Sequence, residues 1–433
     1  MRKQRYVALV MILLMVLGAG SLFAGAQREA ADDRAEIRFT WWGDTARHEK
    51  YNAIADLFEE QNPDVTIVRE FGGWGDYWDR LATQTAGGNA PDVQGQHLRQ
   101  VSDYARRGAL LPLDEYVEQG IIDLSNFPDP IREAGRLEGQ TLMVAQGYTV
   151  IGTFYNRAIF DELGVEYPDF RWTWDQYRET LTALREANDS PDFFPAGDNS
   201  GGESRLIVYL TQRGKAMFTE DGQIGFDVDD ITAWFEMFAD FREARLIPDG
   251  ATSQEFSGVP LEQSMFVRGM TAITDAPFNQ LTLFQGAVPE GEELGLAMFP
   301  RIAGGNVGEE LGASFLAVAS TSRHPEVAAR FINFFVNDEE AVSIFRLEQG
   351  ALGSTASNEV IAPLLSPVER RLLDGIQRAA ENDDIGEHAL PPAGAAEVYQ
   401  ALSDSAQAVQ FGQLTPRAAA ERFVSRARSI LAD

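Results

Sequence analysis

FTWWGDTARHEKYNAIADLFEEQNPDVTIVREFGGWGDYWDRLATQTAGGNAPDV, residues Phe39 to Val93, reads as strand, helix, strand, helix. From Glu36 to Trp42 the chain alternates Ile37, Phe39 and Trp41 against Arg38, Thr40 and Trp42, a period of two that predicts a strand breaking at Gly43-Asp44. A helix is expected from near Ala46, with Ile54, Leu57, Phe58 and Gln61 roughly on one side, ending at Asn62-Pro63. Val65 to Glu70 predicts a second strand entering Gly72-Gly73-Trp74-Gly75, and another helix follows from Asp76. This alternation belongs to α/β folds with a parallel sheet wrapped by helices, whose ligands sit beyond the carboxyl ends of the strands. Trp42, Asp44, Arg47 and Trp74 all fall at such ends.

Outward from this stretch the pattern continues without repeats or low-complexity linkers. Asp92-Val93-Gln94 predicts a short strand leading to Gln96 and His97, and a helix through Val101 and Tyr104 ends at Gly108. Leu142 to Tyr155 is uncharged and rich in β-formers, which predicts a buried strand crossing between lobes. Asn156 to Gly164 reads as a helix, and Thr173-Trp174-Asp175-Gln176 is a capping-box pattern that starts another. Ser190 to Gly202 is rich in proline, aspartate, asparagine and glycine and reads as a long loop. Ser322 to Val336 and Pro416 to Leu431 each gather apolar residues on one helical face, the first with Val327, Phe331, Phe334 and Phe335. Both faces are assigned to the core.

The chain of 433 residues has material for two domains. Arg2, Lys3 and Arg5, the apolar stretch from Tyr6 and the small-residue site Ala24-Gly25-Ala26 predict a secretory signal cleaved before Gln27. An uncleaved anchor is the other reading, since Tyr6 to Ala26 is long enough to span a bilayer. With no cysteine, the chain has no disulfide, thiolate metal site, cysteine nucleophile or lipid-modified N-terminal cysteine. The formal net charge of −30, made more negative by loss of the signal, argues against nucleic acid or anionic lipid as a partner. Lys3, Lys50 and Lys215 are the only lysines. Acid in abundance with scarce lysine suits salty surroundings or reflects genome composition, and is read as solvated surface either way.

Eight stretches in order carry a family resemblance: FTWWGD (Phe39 to Asp44), FEEQNPDVTI (Phe58 to Ile67), DRLATQTAGGNAPDV (Asp79 to Val93), DYARRGALLPLDEYV (Asp103 to Val117), FYNRAIFDELGV (Phe154 to Val165), TWDQY (Thr173 to Tyr177), VRGMTAI (Val267 to Ile273) and HPEVAARFINFFVN (His324 to Asn337). Through them the sequence resembles the family 1 extracellular solute-binding proteins of ABC sugar importers, a maltose-binding-protein-like group. WWGDTARHE with GGWGDYWDRL looks most like its oligosaccharide-binding branch, which includes oligogalacturonide binders. The resemblance implies an α/β, two-lobed periplasmic binding protein fold of type II, each lobe a parallel-rich sheet flanked by helices. It divides the chain into a signal peptide (1–26), an N-terminal lobe (34–147 and 312–352) and a C-terminal lobe (148–311 and 353–433). The crossings are expected near Gln146 to Gly152, Glu310 to Ala313 and Gly350 to Ser354, where Gly147, Gly152, Gly312, Gly350 and Gly353 suit hinge duty or ordinary turns.

A pyranose presents apolar C–H faces and a ring of hydroxyls, so it needs flat aromatic area and fixed donors and acceptors around its edge. Trp42 and Trp74 are the stacking candidates, while Trp41 is assigned to the core on alternation. Asp44 and Arg47 are polar candidates, with helix capping as the rival role of Asp44. The resemblance adds Gln96, His97 and Arg99 after the PDV strand, Tyr148 and Thr149 beside the crossing strand, Asp275 and Phe278 after VRGMTAI, and Tyr399. It departs where relatives often carry tryptophan or asparagine after PDV and tryptophan after VRGMTAI, which leaves the ligand open. Arg47, Arg99 and Arg301 suit a uronate carboxylate or ordinary surface. The resemblance implies no catalytic residue or cofactor, and no metal is expected because His48, His97, His324 and His388 lack ligand spacing. The expected partners are a sugar or oligosaccharide and the permease subunits of an ABC transporter, with the chain a periplasmic monomer. It has no GxxxxGK[ST] sequence, so it is not the ATPase. A secreted glycoside hydrolase or lyase and a chemoreceptor ligand-binding subunit are the rival readings.

Overall fold

The computed structural model describes residues 34–432 apart from 138, 307, 310 and 381–390. The expected signal segment and Glu310 lie outside the described residues. Strand β1 (Ala35–Trp42) is covered on both faces from Phe39 onward: Phe39 and Trp41 are buried on one side, Thr40 and Trp42 on the other. Helix α1 (Thr45–Gln61) follows, capped by the Asp44 carboxylate, which accepts from the Arg47 backbone N–H at 3.0 Å. Strand β2 (Val65–Gly72), helix α2 (Trp74–Ala86), strand β3 (Val93–His97) and helix α3 (Leu98–Arg106) complete the first unit. Both β2 and β3 run parallel to β1, as strand–helix–strand connections require.

Strand β4 (Val144–Asn156) joins two halves of one large sheet, which takes in β5 (Phe194–Ala196), β6 (Thr271–Pro277), β7 (Leu294–Ala297) and β8 (Leu311–Val318). The order is β2-β1-β3-β8-β4-β6-β5, with β7 also on β4. The first half of β4 pairs antiparallel with β8, and its second half pairs antiparallel with β6 and β7. Pairing is parallel at β1–β2, β1–β3 and β6–β5 and antiparallel where β4 and β8 insert. The fold is thus α/β with two lobes that share one strand.

Each half has its core. Helix α4 (Trp174–Ala187) begins on the expected capping box, with Thr173 Oγ1 accepting from the Gln176 N–H and the Gln176 side chain accepting from the Thr173 N–H. Around it α5 (Glu203–Gln212) and α6 (Val228–Glu243) bury Leu206, Trp234, Phe235 and Phe238. In the other half α7 (Pro325–Asn337) lays Phe331 and Phe335 edge-on to Phe39 at 5.0 and 6.1 Å. Each such fully buried side chain contributes roughly 1.5–3 kcal/mol. Helix α8 (Glu339–Phe345) packs beside α1.

Helix α9 (Thr355–Ile361) corrects a boundary. The residues from 353 onward are expected in the C-terminal lobe, yet Ser357 Oγ donates to the Val336 carbonyl at 2.9 Å and Thr355 N–H to Asn126 O at 2.9 Å, which holds α9 against the first lobe. The two final helices, Ala395–Gln410 and Pro416–Ala432, pack on each other and on α6 in the second lobe.

Thr173→Ala removes one cap and exposes no core. Urea denaturation should show a stability loss of about 1 kcal/mol with ligand affinity unchanged; a loss below a few tenths would mean the box contributes nothing.

Candidate functional site

The carboxyl ends of β1 and β3 and the start of α2 assemble an aromatic cluster. The Trp42 ring meets Trp74 edge-on at 5.1 Å and lies 5.3 Å from Tyr77 and 5.5 Å from Trp78. His97 stands perpendicular to Trp74 at 5.4 Å. Trp74 is 44% exposed, whereas Trp42 is only 7% exposed. The open face therefore belongs to Trp74, and Trp42 braces it from below; the expectation that both offer stacking faces is corrected by this burial.

Local sequence explains the arrangement. Trp74 and Trp78 are four apart on α2 and so share a face. Gly95 leaves room for the Trp42 ring, since a Cβ there would lie 2.9 Å from a ring carbon. The Tyr77 hydroxyl donates to the Gly95 carbonyl at 2.6 Å, and burial pushes its pKa well above the ordinary tyrosine value. Behind this, Trp41 Nε1 donates to His48 Nδ1 at 3.1 Å, and burial lowers the His48 pKa.

A polar rim adjoins the cluster. Asp44 is exposed while serving as the α1 cap. Arg47 Nε donates to Glu348 Oε1 at 3.0 Å and its Nη1 to the Trp42 carbonyl at 3.4 Å. Lys50 Nζ lies 2.6 Å from Glu348 Oε2. Sequence reasoning missed Glu348, for its partner Arg47 is 301 residues away. It also missed Trp78, for which the helical spacing from Trp74 was an available signal.

Tyr148 and Thr149 lie where β4 passes between the lobes. Tyr148 exchanges both backbone hydrogen bonds with Ala351 at 2.8 Å, while Ala313 and Gly312 pair with Tyr148 and Thr149 from β8. The three stretches expected to form crossings thus lie side by side. Tyr148 is buried, and burial raises its pKa. Thr149 Oγ1 accepts from the Asn279 N–H at 3.1 Å.

The remaining candidates are placed elsewhere. Asp275 sits inside β6, not after it, and its carboxylate accepts from Arg205, from Asn199 Nδ2 at 2.8 Å and from Thr153 Oγ1 at 3.2 Å. Burial raises its pKa, opposed by Arg205 and Thr153. Arg205, 2% exposed, is boxed by Phe299, Tyr177 and Trp174 at 5.1, 5.2 and 5.7 Å. Phe278 is fully buried against Phe154 and the backbone at Gly152, so it is a core residue. Gln96 is also fully buried, donating to Gln94 Oε1 at 3.0 Å. Tyr399 packs 5.8 Å from Phe218 in the second core. Burial removes Phe278 and Gln96 from an open surface, while Tyr399 is half-buried against the second core. The Arg99 side chain lies outside the described residues.

A flat exposed ring, a braced wall behind it and a rim of carboxylate, guanidinium and ammonium groups suit non-covalent recognition of a polar solute with apolar faces. Among the described residues no three His, Asp or Glu side chains cluster as metal ligands, and no helix is long and apolar enough to cross a membrane.

Known proteins share the α/β fold of this chain. The pattern of the bacterial extracellular solute-binding protein family matches residues 42–342. An arabinooligosaccharide-binding protein of Bacillus subtilis is 23% identical over 356 residues, 78% of each chain. A periplasmic solute binding protein from Pectobacterium atrosepticum superposes with a TM-score of 0.82 at 25% identity, over 92% of this chain and 99% of its own. A periplasmic oligogalacturonide binding protein from Yersinia enterocolitica, in complex with saturated digalacturonic acid, gives 0.80 at 21% identity over 92% and 99%.

Proposed function

The chain belongs to the bacterial extracellular solute-binding protein family, and from that premise we propose that it is the exported, non-enzymatic receptor of an ABC importer for a sugar or oligosaccharide. The signal read at residues 1–26 would send it to the periplasm, where it acts as a monomer and hands its ligand to a membrane permease. The observation that carries the saccharide reading is Trp74, a large ring 44% exposed at the end of the β1–β2 edge and held upright by Trp42 and Trp78. Such a face binds the C–H side of a pyranose, and the Asp44–Arg47 rim supplies acceptors and donors to its hydroxyls.

Capture proceeds by closure. The lobes meet where Tyr148–Val150, Leu311–Ala313 and the Gly350-Ala351 turn lie adjacent, and the chain enters the second lobe for the last time after α9. Sugar docks on the Trp74 face, and rotation about these short stretches brings the second lobe over it.

Calorimetry against a panel of neutral and uronic mono- and oligosaccharides tests the reading. A ligand should bind stoichiometrically without turnover. Trp74→Ala should weaken it tenfold or more, about 1.4 kcal/mol, at a stability cost near 1 kcal/mol. A full panel without binding, or product formation, would overturn the proposal.

A further inference from the structure

We infer that Arg346 and Glu369 form a latch across the lobe boundary, which holds the lobes in the arrangement that leaves the Trp74 face uncovered; it regulates the closure proposed above and rests on that reading. Arg346 ends α8, and the Phe345 ring beside it lies 5.7 Å from Tyr51 of α1 and 5.2 Å from Phe335 of α7, so its backbone belongs to the first lobe. Glu369 stands in the first turn of α10 (Pro367–Ala380), which docks on the second lobe. Arg371 of that helix donates from Nη2 to Gln285 Oε1 at 3.2 Å and pairs through Nη1 with Glu293, and Gly375 passes over the Phe278 ring. Across the boundary Arg346 Nη1 lies 3.8 Å from Glu369 Oε1.

Both partners are held for the contact. Arg346 has φ +52° and ψ −134°, and among the described residues only it and Arg245 carry a side chain at positive φ. Such a backbone is unfavourable for a residue with a Cβ and persists only where its surroundings fix it. Glu369 is fixed by a capping box: its Oε2 accepts from the Ser366 N–H at 2.7 Å, which leaves Oε1 for Arg346. Burial would raise the Glu369 pKa, but the Ser366 hydrogen bonds and the charges of Arg346 and Lys50 outweigh it and hold the carboxyl below its ordinary value. Glu348, two residues beyond Arg346, pairs with Arg47 and Lys50 of α1. The segment from Arg346 to Glu348 is thus tied by charge to both lobes, directly before the Gly350 turn. Rotation about that turn changes the separation of Arg346 from Glu369 and breaks the pair.

The test uses the full mature chain, whose lack of cysteine lets Glu60→Cys on α1 and Glu186→Cys on α4, both exposed positions, carry a donor and an acceptor dye. Single-molecule energy transfer without sugar reads the separation of the lobes. The parent should show one main separation at low salt. Arg346→Gln and Glu369→Gln should each raise the fraction of molecules at a second separation about twofold or more, the range of a half-exposed ion pair. Glutamine at 369 keeps an acceptor for the Ser366 N–H. The double variant should gain no more than either single one, because both remove one interaction, and high salt should move the parent toward the variants. A second fraction unchanged in either single variant, or additive in the double, overturns the latch and leaves the saccharide reading standing. A sugar panel without any ligand overturns that reading, while the lobe separations still decide the latch.

Discussion

Arg205→Met should destabilise the protein by about 3–5 kcal/mol, because it leaves a carboxylate inside the second lobe without its counter-charge. Asp275 is held by three side chains, Arg205, Asn199 and Thr153, and only 11% of its side chain reaches solvent. The two neutral donors remain in the variant, but neither supplies charge. The effect should also depend on pH. Burial already raises the Asp275 pKa, and loss of Arg205, which opposes that rise, moves it higher. A carboxyl whose folded pKa exceeds its unfolded one binds protons preferentially in the folded state, so stability falls as pH rises through that window. The deficit of the variant should therefore be larger at about pH 8 than at about pH 5. Adding Asp275→Asn to Arg205→Met should recover most of the loss, since removing both charges leaves no unpaired ion. Urea denaturation of the single and double variants at both pH values decides the matter; a single-variant loss under about 1 kcal/mol would mean that Asp275 is solvated or protonated in the parent.

What was legible in the sequence was local. The period-two run into Trp42, the helix starting at Asn156 and the capping patterns at Asp44 and Thr173 each depend on residues within a few positions, and each appears where expected. Trp41 was assigned to the core by alternation alone and is 1% exposed. Side-chain roles set by distant partners were not legible. Arg47 looked like a free binding group because Glu348 is far along the chain, and Asp275 looked like a rim carboxylate because Arg205 is 70 residues away. Phe278 follows a strand end, where an aromatic ring can face outward. It turns inward because Gly152 and Gly375 leave a space without side chains, and no single-sequence pattern pairs those glycines with it. Gln96 failed for a related reason: β3 is interior to the sheet and covered, so a polar side chain on it satisfies its neighbour Gln94 rather than a ligand.

Gly350→Ala should be the most damaging small substitution near the proposed hinge. Gly350 has φ +98°, and a Cβ there would collide with the Tyr148 carbonyl oxygen, which accepts from the Ala351 N–H at 2.8 Å. The left-handed backbone alone costs an alanine roughly 1–2 kcal/mol. The collision forces the turn away from β4 and sacrifices the two Tyr148–Ala351 hydrogen bonds, about 1 kcal/mol each. The combined loss should reach roughly 3–4 kcal/mol, with ligand-induced compaction in small-angle X-ray scattering reduced because the Gly350 turn no longer lies against the crossing strand. Gly88→Ala separates the two contributions: its φ is +67°, yet a Cβ there meets nothing within 4 Å. That variant should lose only the backbone part, about 1 kcal/mol, and keep full compaction. Equal losses in the two variants would assign the whole effect to backbone conformation, and the Gly350 turn would then have no special part in lobe closure.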